Sequence, residues 1–370
     1  MFEIQGKYNK AIIYSDLCDE KAIGQIYDLC NLEIMKDASI KMMCDVHAGK
    51  DCVIGTTIYT ENKQIIPNIV GSDIGCGIAM FFFKKTDLDL KAFDEYINQT
   101  IYSGMKIRDR KHPKLDQRIK KKIKRIAQIC HIENTNVYDR CVGSLGGGNH
   151  FIEIDQVDED TYALSIHSGS RLIGKAICEY FQKIARMKHP EMKKQYAYLE
   201  NEDYEQYMEA MRLACDVAKE NRRLIALDLL NYLDVKVIKT IDTLHNYIEQ
   251  INDAMIIRKG AIRANKDEEV IIPINMKDGI IIAKGKGEKN YNYSANHGVG
   301  RLLSRKQAKS DLNMEEYQKQ MKGIYTTSMN LNTLDESPMA YKPLEAIIKE
   351  MQGTIEILQI AKVIYNYKAH

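Results

Sequence analysis

The chain has 370 residues, 45% of them hydrophobic, and a net charge of +2, which suits a globular protein with a sizeable core and argues by itself neither for nor against a polyanionic partner. Nine cysteines are scattered without a Cys-x-x-Cys pair, which excludes a disulfide framework and points to a reducing compartment. The start Met1-Phe-Glu-Ile-Gln-Gly-Lys-Tyr8 lacks the basic and apolar regions of a signal peptide and no stretch approaches membrane-spanning length, so a cytoplasmic protein with no membrane partner is expected.

In chain order, apolar runs at Lys10 to Tyr14, Val53 to Tyr59, Ile65 to Val70 and Ile78 to Phe83 predict strands, and Glu20 to Cys30 and Leu88 to Gln99 predict helices. From Lys106 to Arg125 the chain is strongly basic, with Ile119 and Ile123 four apart as on one helix face. This run reads either as a solvated helix face or as an electrostatic footprint for nucleic acid. Residues 151–154 and 162–166 predict further strands. A helical pattern then covers 171–233, where Tyr204, Tyr207, Met208, Met211 and Leu213 have the spacing of core positions. Strands are expected again at Val235 to Thr240, Val270 to Ile274 and Gly279 to Ala283, then a helix at Pro343 to Met351 and a strand at Ile355 to Tyr367. The order implies a mixed α/β fold, with central sheets flanked by helices and chemistry at strand ends. No repeat or linker marks a boundary, so one domain over residues 1–370 is expected.

Between the third and fourth predicted strands, Val70-Gly-Ser-Asp-Ile-Gly-Cys-Gly77 places Asp73 three residues before Cys76 in a glycine-punctuated turn. One hard oxygen and one soft sulfur suit a borderline divalent metal, although a buried turn cysteine is commonly just a small apolar residue. Three histidines add to the corner. His150 ends Gly143-Ser-Leu-Gly-Gly-Gly-Asn-His150 at the mouth of a strand, and His167 opens the donor-rich turn His167-Ser-Gly-Ser-Arg171. His245 follows an apparent strand and a short turn. Each alone reads more readily as a satisfied surface or core histidine than as a ligand. Together the five donors suit two ions bridged by the Cys76 thiolate, a common clamp for phosphoryl displacement. His297 stands apart in Asn296-His-Gly-Val-Gly-Arg301, before an expected helix start. It reads as a nucleophile for phosphorus, with Arg301 and Arg305 offsetting phosphate charge, or as a histidine in an ordinary turn.

Asp45-Val-His-Ala-Gly-Lys50, Val70 to Gly77, Gly146-Gly-Gly-Asn-His150, His167-Ser-Gly-Ser-Arg171, His245-Asn246, Arg258-Lys-Gly-Ala261, His297-Gly-Val-Gly-Arg301 and Asp335-Glu-Ser-Pro-Met-Ala-Tyr-Lys342 resemble, in order, the motifs of the RtcB family of RNA ligases. The resemblance implies joining of RNA 3'-phosphate or 2',3'-cyclic phosphate ends to 5'-hydroxyl ends, with GTP and two Mn²⁺ ions, in tRNA splicing or RNA repair. It implies one ion on Asp73, Cys76 and His150 and the other on Cys76, His167 and His245. His297 would be guanylylated, with Asp45 orienting it. Asn149, Glu153, Asn246, Asn275, Met276, Gly298, Gly300 and Lys368 would hold the nucleotide, and Arg171, Arg301 and Arg305 would meet RNA or phosphate. Where the family usually has Pro-Gly-Ser-Met-Gly, this chain has Pro273-Ile-Asn-Met-Lys-Asp278, as in a shorter branch of the family, and the change falls in the expected nucleotide pocket. A monomer is expected, with an activator protein left open. A metal-dependent RNA-end phosphodiesterase or phosphatase, or a non-catalytic RNA-end binder, would use parts of the same residue set.

Overall fold

The computed structural model describes residues 1–368 and is a mixed α/β protein built on two main sheets. The larger has seven strands, all antiparallel, in the order Glu269–Asn275, Gly279–Gly285, Ile355–Lys368, Phe151–Gln156, Thr161–Ser168, Gly77–Lys84 and Val237–Leu244. The other has six, in the order Phe2–Gln5, Lys10–Ile13, Ser39–His47, Ile54–Thr60, Ala254–Lys259 and Asn246–Ile251, with one parallel pair at Lys10–Ile13 and Ser39–His47. No helix among the described residues is long and apolar enough to cross a membrane.

Strand Gly77–Lys84 shows why the larger sheet forms. Its apolar run is buried on both faces: Ile78, Met80 and Phe82 pack with Ile241, Ile271 and Ile280, while Ala79, Phe81 and Phe83 pack with Phe93, Ile97, Ile225 and Leu229. The period of two in side-chain direction sorts one continuous hydrophobic string into two cores. The second of these cores includes the end of a 32-residue helix, Asn201–Tyr232, about 48 Å long at the helical rise. The start of this helix buries Tyr204, Tyr207, Met208 and Met211 in the core beneath the six-stranded sheet, with Leu213 partly buried at its edge. One rigid element therefore underlies both halves.

Most expected elements are present. Glu20–Cys30 is a helix capped by Asp19, and Leu344–Met351 and Ile355–Lys368 end the described chain as expected. Some expectations fail for local reasons. Residues 65–70 are not a strand: Ile65 makes one isolated bridge to Leu199, and Pro67 starts a helical turn, Pro67–Val70, because proline lacks the ladder donor and is pre-set for the first helical position. No helix follows the His297 turn directly; helix Arg305–Asp311 begins eight residues later behind a Ser304 capping box. The helical stretch 171–233 is two helices, Leu172–Lys188 and Asn201–Tyr232, with Pro190 in the gap.

Within the long helix, Arg222 is fully buried. It pairs with Asp242 through Nε and Nη2 at 3.1 and 2.8 Å and donates from Nη1 to the Gly75 and Ser168 carbonyls at 3.0 and 2.8 Å. Removing one partner of such a group strands the other in the interior. Arg222→Met is expected to lower unfolding free energy by about 3–5 kcal/mol, read as a drop in the urea midpoint; an unchanged midpoint contradicts the assigned role.

Candidate metal centre and nucleophilic histidine

Strand register brings the five donors together. Gly77 lies opposite both Ser168 and Leu244, and Phe151 lies opposite His167, so Cys76, His150, His167 and His245 all fall at one end of the sheet. The strand Val237–Leu244 runs straight into His245, without the short turn expected there. Asp73 completes the group from the turn before Gly77, which closes through the Cys76 N–H to the Asp73 carbonyl at 3.2 Å. The glycine loop bearing His150 must approach closely: Gly146 has φ +94°, and a Cβ there would lie 2.0 Å from Nη1 of Arg171 and 2.6 Å from Nδ1 of His150, so only glycine fits.

The donor atoms form a chain with Cys76 at its centre. Asp73 Oδ2 is 3.3 Å from His150 Nε2, which is 3.4 Å from Cys76 Sγ; that sulfur is 3.2 Å from His167 Nε2, itself 3.4 Å from His245 Nε2. His150 Nδ1 donates to the Leu145 carbonyl at 2.8 Å, which leaves the Nε2 lone pair pointing inward. Burial first, then neighbouring histidines, hold His167 and His245 well below the ordinary imidazole value. Burial and the Asp73 carboxylate push the Cys76 thiol well above its own. Lone pairs of sulfur, nitrogen and oxygen thus converge at one end of the sheet, with Asp73 at the half-exposed edge of the group. A borderline divalent cation fits that donor set, and Cys76, His150 and His167 have ligand atoms within 4.8 Å of one another.

Next to this cluster stands His297, its ring centroid 4.9 Å from that of His245. Its Nδ1 donates to Asp45 Oδ2 at 2.6 Å, and the same oxygen accepts the backbone N–H groups of His297 and Gly298 at 3.1 and 3.2 Å. With Nδ1 protonated and held, Nε2 carries the free lone pair. Gly300 permits the close fit: at φ +76° a Cβ would lie 2.5 Å from the Asp45 carbonyl oxygen. Below, the buried Lys342 ammonium donates to the carbonyls of Leu17, Cys44 and Val46 at 2.7, 3.1 and 3.0 Å. It fixes the strand that bears Asp45.

A cavity of about 940 Å³ opens over His297 and His167. Asn149, Glu153, Asn275, Gly298, Gly300, Arg301, Arg305 and Lys368 are among the residues that line it. Glu153 is buried against Asn366, and burial followed by the adjacent Asp155 pushes its carboxyl well above the usual range. Other residues have different surroundings. Asn246 is a staple, accepting from Gly260 N–H at 3.0 Å and donating to the Asp73 carbonyl at 3.2 Å. Asn275 closes its own turn by accepting from the N–H groups of Lys277 and Asp278. The Met276 side chain is turned into a small apolar core with Tyr317, Met321 and Leu334, so only its backbone is left to meet a nucleotide. Arg171 sits behind the glycine loop, donating to Ser144 Oγ and the Gly104 carbonyl. Arg301 and Arg305 pair with Glu336, and Arg305 also with Asp335.

Sequence reasoning missed Asn221, Arg222 and the roles of Lys342, Asp335 and Glu336. Asn221 accepts from the N–H groups of Gly143 and Ser144 and donates to Ser144 O, Ser168 Oγ and Gly169 O. Its sole sequence signal is a polar pair, Asn221-Arg222, at buried phase in a long helix. The other three lay within quoted motifs that had no assigned task.

The sequence matches the family profile described as tRNA-splicing ligase RtcB over residues 25–369. It is 30% identical to RNA-splicing ligase RtcB of Escherichia coli K12 over 363 residues, covering 86% of this chain and 87% of that protein. RNA-splicing ligase RtcB1 of E. coli ATCC 25922 is also 30% identical, over the same shares of the two chains. Similarity to tRNA-splicing ligase RtcB of Methanococcus maripaludis is 27%, across 96% of this chain and 92% of the relative. A profile match over nearly the whole length places the chain in the tRNA-splicing ligase RtcB family.

Proposed function

We propose that the protein is a GTP- and Mn²⁺-dependent ligase that joins RNA 3'-phosphate or 2',3'-cyclic phosphate ends to 5'-hydroxyl ends through a histidine guanylate. The observation that carries this reading is the 2.6 Å Asp45–His297 contact beside the donor cluster. It leaves Nε2 of His297 as a nitrogen nucleophile at the wall of a cavity large enough for a nucleotide. A hydrolase using the same donors has no need of that pair.

Nε2 of His297 attacks the α-phosphorus of GTP, the bond to pyrophosphate breaks, and a phosphorus–nitrogen bond forms. The ring then carries a positive charge, which Asp45 Oδ2 stabilises through the Nδ1 proton it already holds. An oxygen of the RNA 3'-phosphate next displaces His297 from the guanylate, producing a mixed anhydride. The 5'-hydroxyl attacks the 3'-phosphorus, and GMP leaves. Activation matters because an unactivated phosphate monoester has no adequate leaving group. Asp73, Cys76 and His150 would hold one ion and Cys76, His167 and His245 the other; bound there, divalent cations offset charge on the phosphate oxygens. Arg301 and Arg305 would exchange Asp335 and Glu336 for phosphate oxygens as ligands arrive.

Wild-type protein incubated with α-labelled GTP and Mn²⁺ is expected to retain acid-labile label through denaturing electrophoresis. His297→Ala should abolish it, and Asp45→Asn should slow labelling by about 100- to 10,000-fold. Unlabelled, metal-loaded wild-type protein would sink the proposal. Metal content gives an independent measurement: Cys76→Ala is expected to lose both ions, and Asp73→Ala chiefly one, by elemental mass spectrometry. Two ions retained in Cys76→Ala would rule out the bridging thiolate.

A further inference from the structure

The basic run noted in the sequence takes no part in the site just described. Residues 106–116 form a loop that leads into helix Gln117–Ile129. Between Lys106 and Arg125 there are eleven Lys and Arg residues against two Asp. Helix phase divides those on the helix into two groups. Ile119, Ile123 and Ile126 are buried, and the flank toward the long helix is neutralised, with Lys122 on Asp216 and Arg125 on Glu209. Arg118, Lys121 and Lys124 lie exposed on the rest of the surface, and Arg110, Lys111 and Lys114 continue the exposed charge through the loop. Among the described residues none of these six makes an ion pair within 4.0 Å.

The strip also has a fixed relation to the metal cluster. The loop is pinned to the glycine loop that presents His150: Gly104 N–H donates to the Gly146 carbonyl at 2.7 Å, and Arg171 Nη2 donates to the Gly104 carbonyl at 3.1 Å. Arg108 reaches the Gly143 carbonyl and Asp228, and buried His112 holds Asp228 at 3.0 Å. A row of exposed cations, with the half-buried Asp139 the acid near Lys111 and Lys124, thus starts at the loop pinned to the glycine loop and extends along a helix of about 20 Å. A solvated helix face needs no such anchoring, and interspersed acids usually accompany one.

We propose that this strip, through Arg110, Lys111, Lys114, Arg118, Lys121 and Lys124, is a docking track for the phosphate backbone of the single-stranded RNA whose end enters the site. The proposal rests on the ligase reading for the identity of the strand. Contacts of this kind carry no base information and give affinity that falls steeply with salt.

The test uses the full-length protein and a fluorescent single-stranded RNA with a 3'-phosphate, titrated over a salt series. Arg118→Ala/Lys121→Ala/Lys124→Ala is expected to bind roughly tenfold or more weakly, with the slope of log affinity against log salt reduced by about 2. Guanylate labelling at His297 should be unchanged. A control, Lys36→Ala/Lys183→Ala/Lys266→Ala, removes equal charge from exposed positions elsewhere and should retain the wild-type slope. Equal affinity and slope in the strip variant and wild type would overturn the proposal, as would binding to phosphatidylserine vesicles with none to RNA. If the variant does not fold, RNA should still protect Lys121 and Lys124 of the wild-type protein from acetylation, and equal modification with and without RNA is an overturning result. Failure of wild-type protein to take up guanylate counts against the ligase reading, while the binding series still decides the track.

Discussion

One turn of the long helix holds the donor cluster together. Arg222 ties the carbonyls of Gly75 and Ser168 to the Asp242 carboxylate, and Asn221 ties Gly143 and Ser144 to Ser168 and Gly169. Those contacts reach the segment bearing Asp73 and Cys76, the glycine loop bearing His150, the strand end bearing His167 and the strand that delivers His245. Five donors from four distant stretches need their backbones fixed to a fraction of an ångström before they share an ion. Two adjacent side chains supply that constraint, and both are fully buried.

A second support acts on His297. The Lys342 ammonium gathers three carbonyls around the strand that carries Asp45, and Asp45 in turn collects three N–H groups of the His297 turn. Charge is therefore layered outward from buried lysine to aspartate to imidazole. At the cavity rim the order reverses, with Asp335 and Glu336 holding Arg301 and Arg305. Such pairs keep the arginines oriented at the rim.

Much of this was legible in the sequence. Donor identities could be read because chemistry restricts the residue types at a metal corner, and glycine runs mark close backbone approach. The apolar strings of the larger sheet were readable because strands buried on both faces are continuous. The strand Ser39–His47 was not, since Lys41, Met42, Met43 and Cys44 show neither alternation nor a β-branched run. The Pro67 turn was misread because its apolar content outweighed the missing N–H of one residue. Asn221 and Arg222 escaped for a deeper reason: most of their partners are backbone groups from residues 75 to 169, and backbone groups leave no trace in residue identity. Asn246 and Met276 show the converse, where position in a motif says nothing of which atoms face the ligand.

The separation of the donors along the chain has a consequence for biosynthesis. The cluster draws on residue 73 at one extreme and 245 at the other, and its clamp comes from 221 and 222. A ribosome that has released only the first two hundred residues has displayed Asp73, Cys76, His150 and His167 without either the clamp or the last histidine. Cys76 at that stage is an exposed thiol beside unpaired strand edges, open to oxidation and to adventitious soft metals. The five donors are therefore gathered only after the long helix has docked, and an ion that needs all of them can be held only by the folded chain.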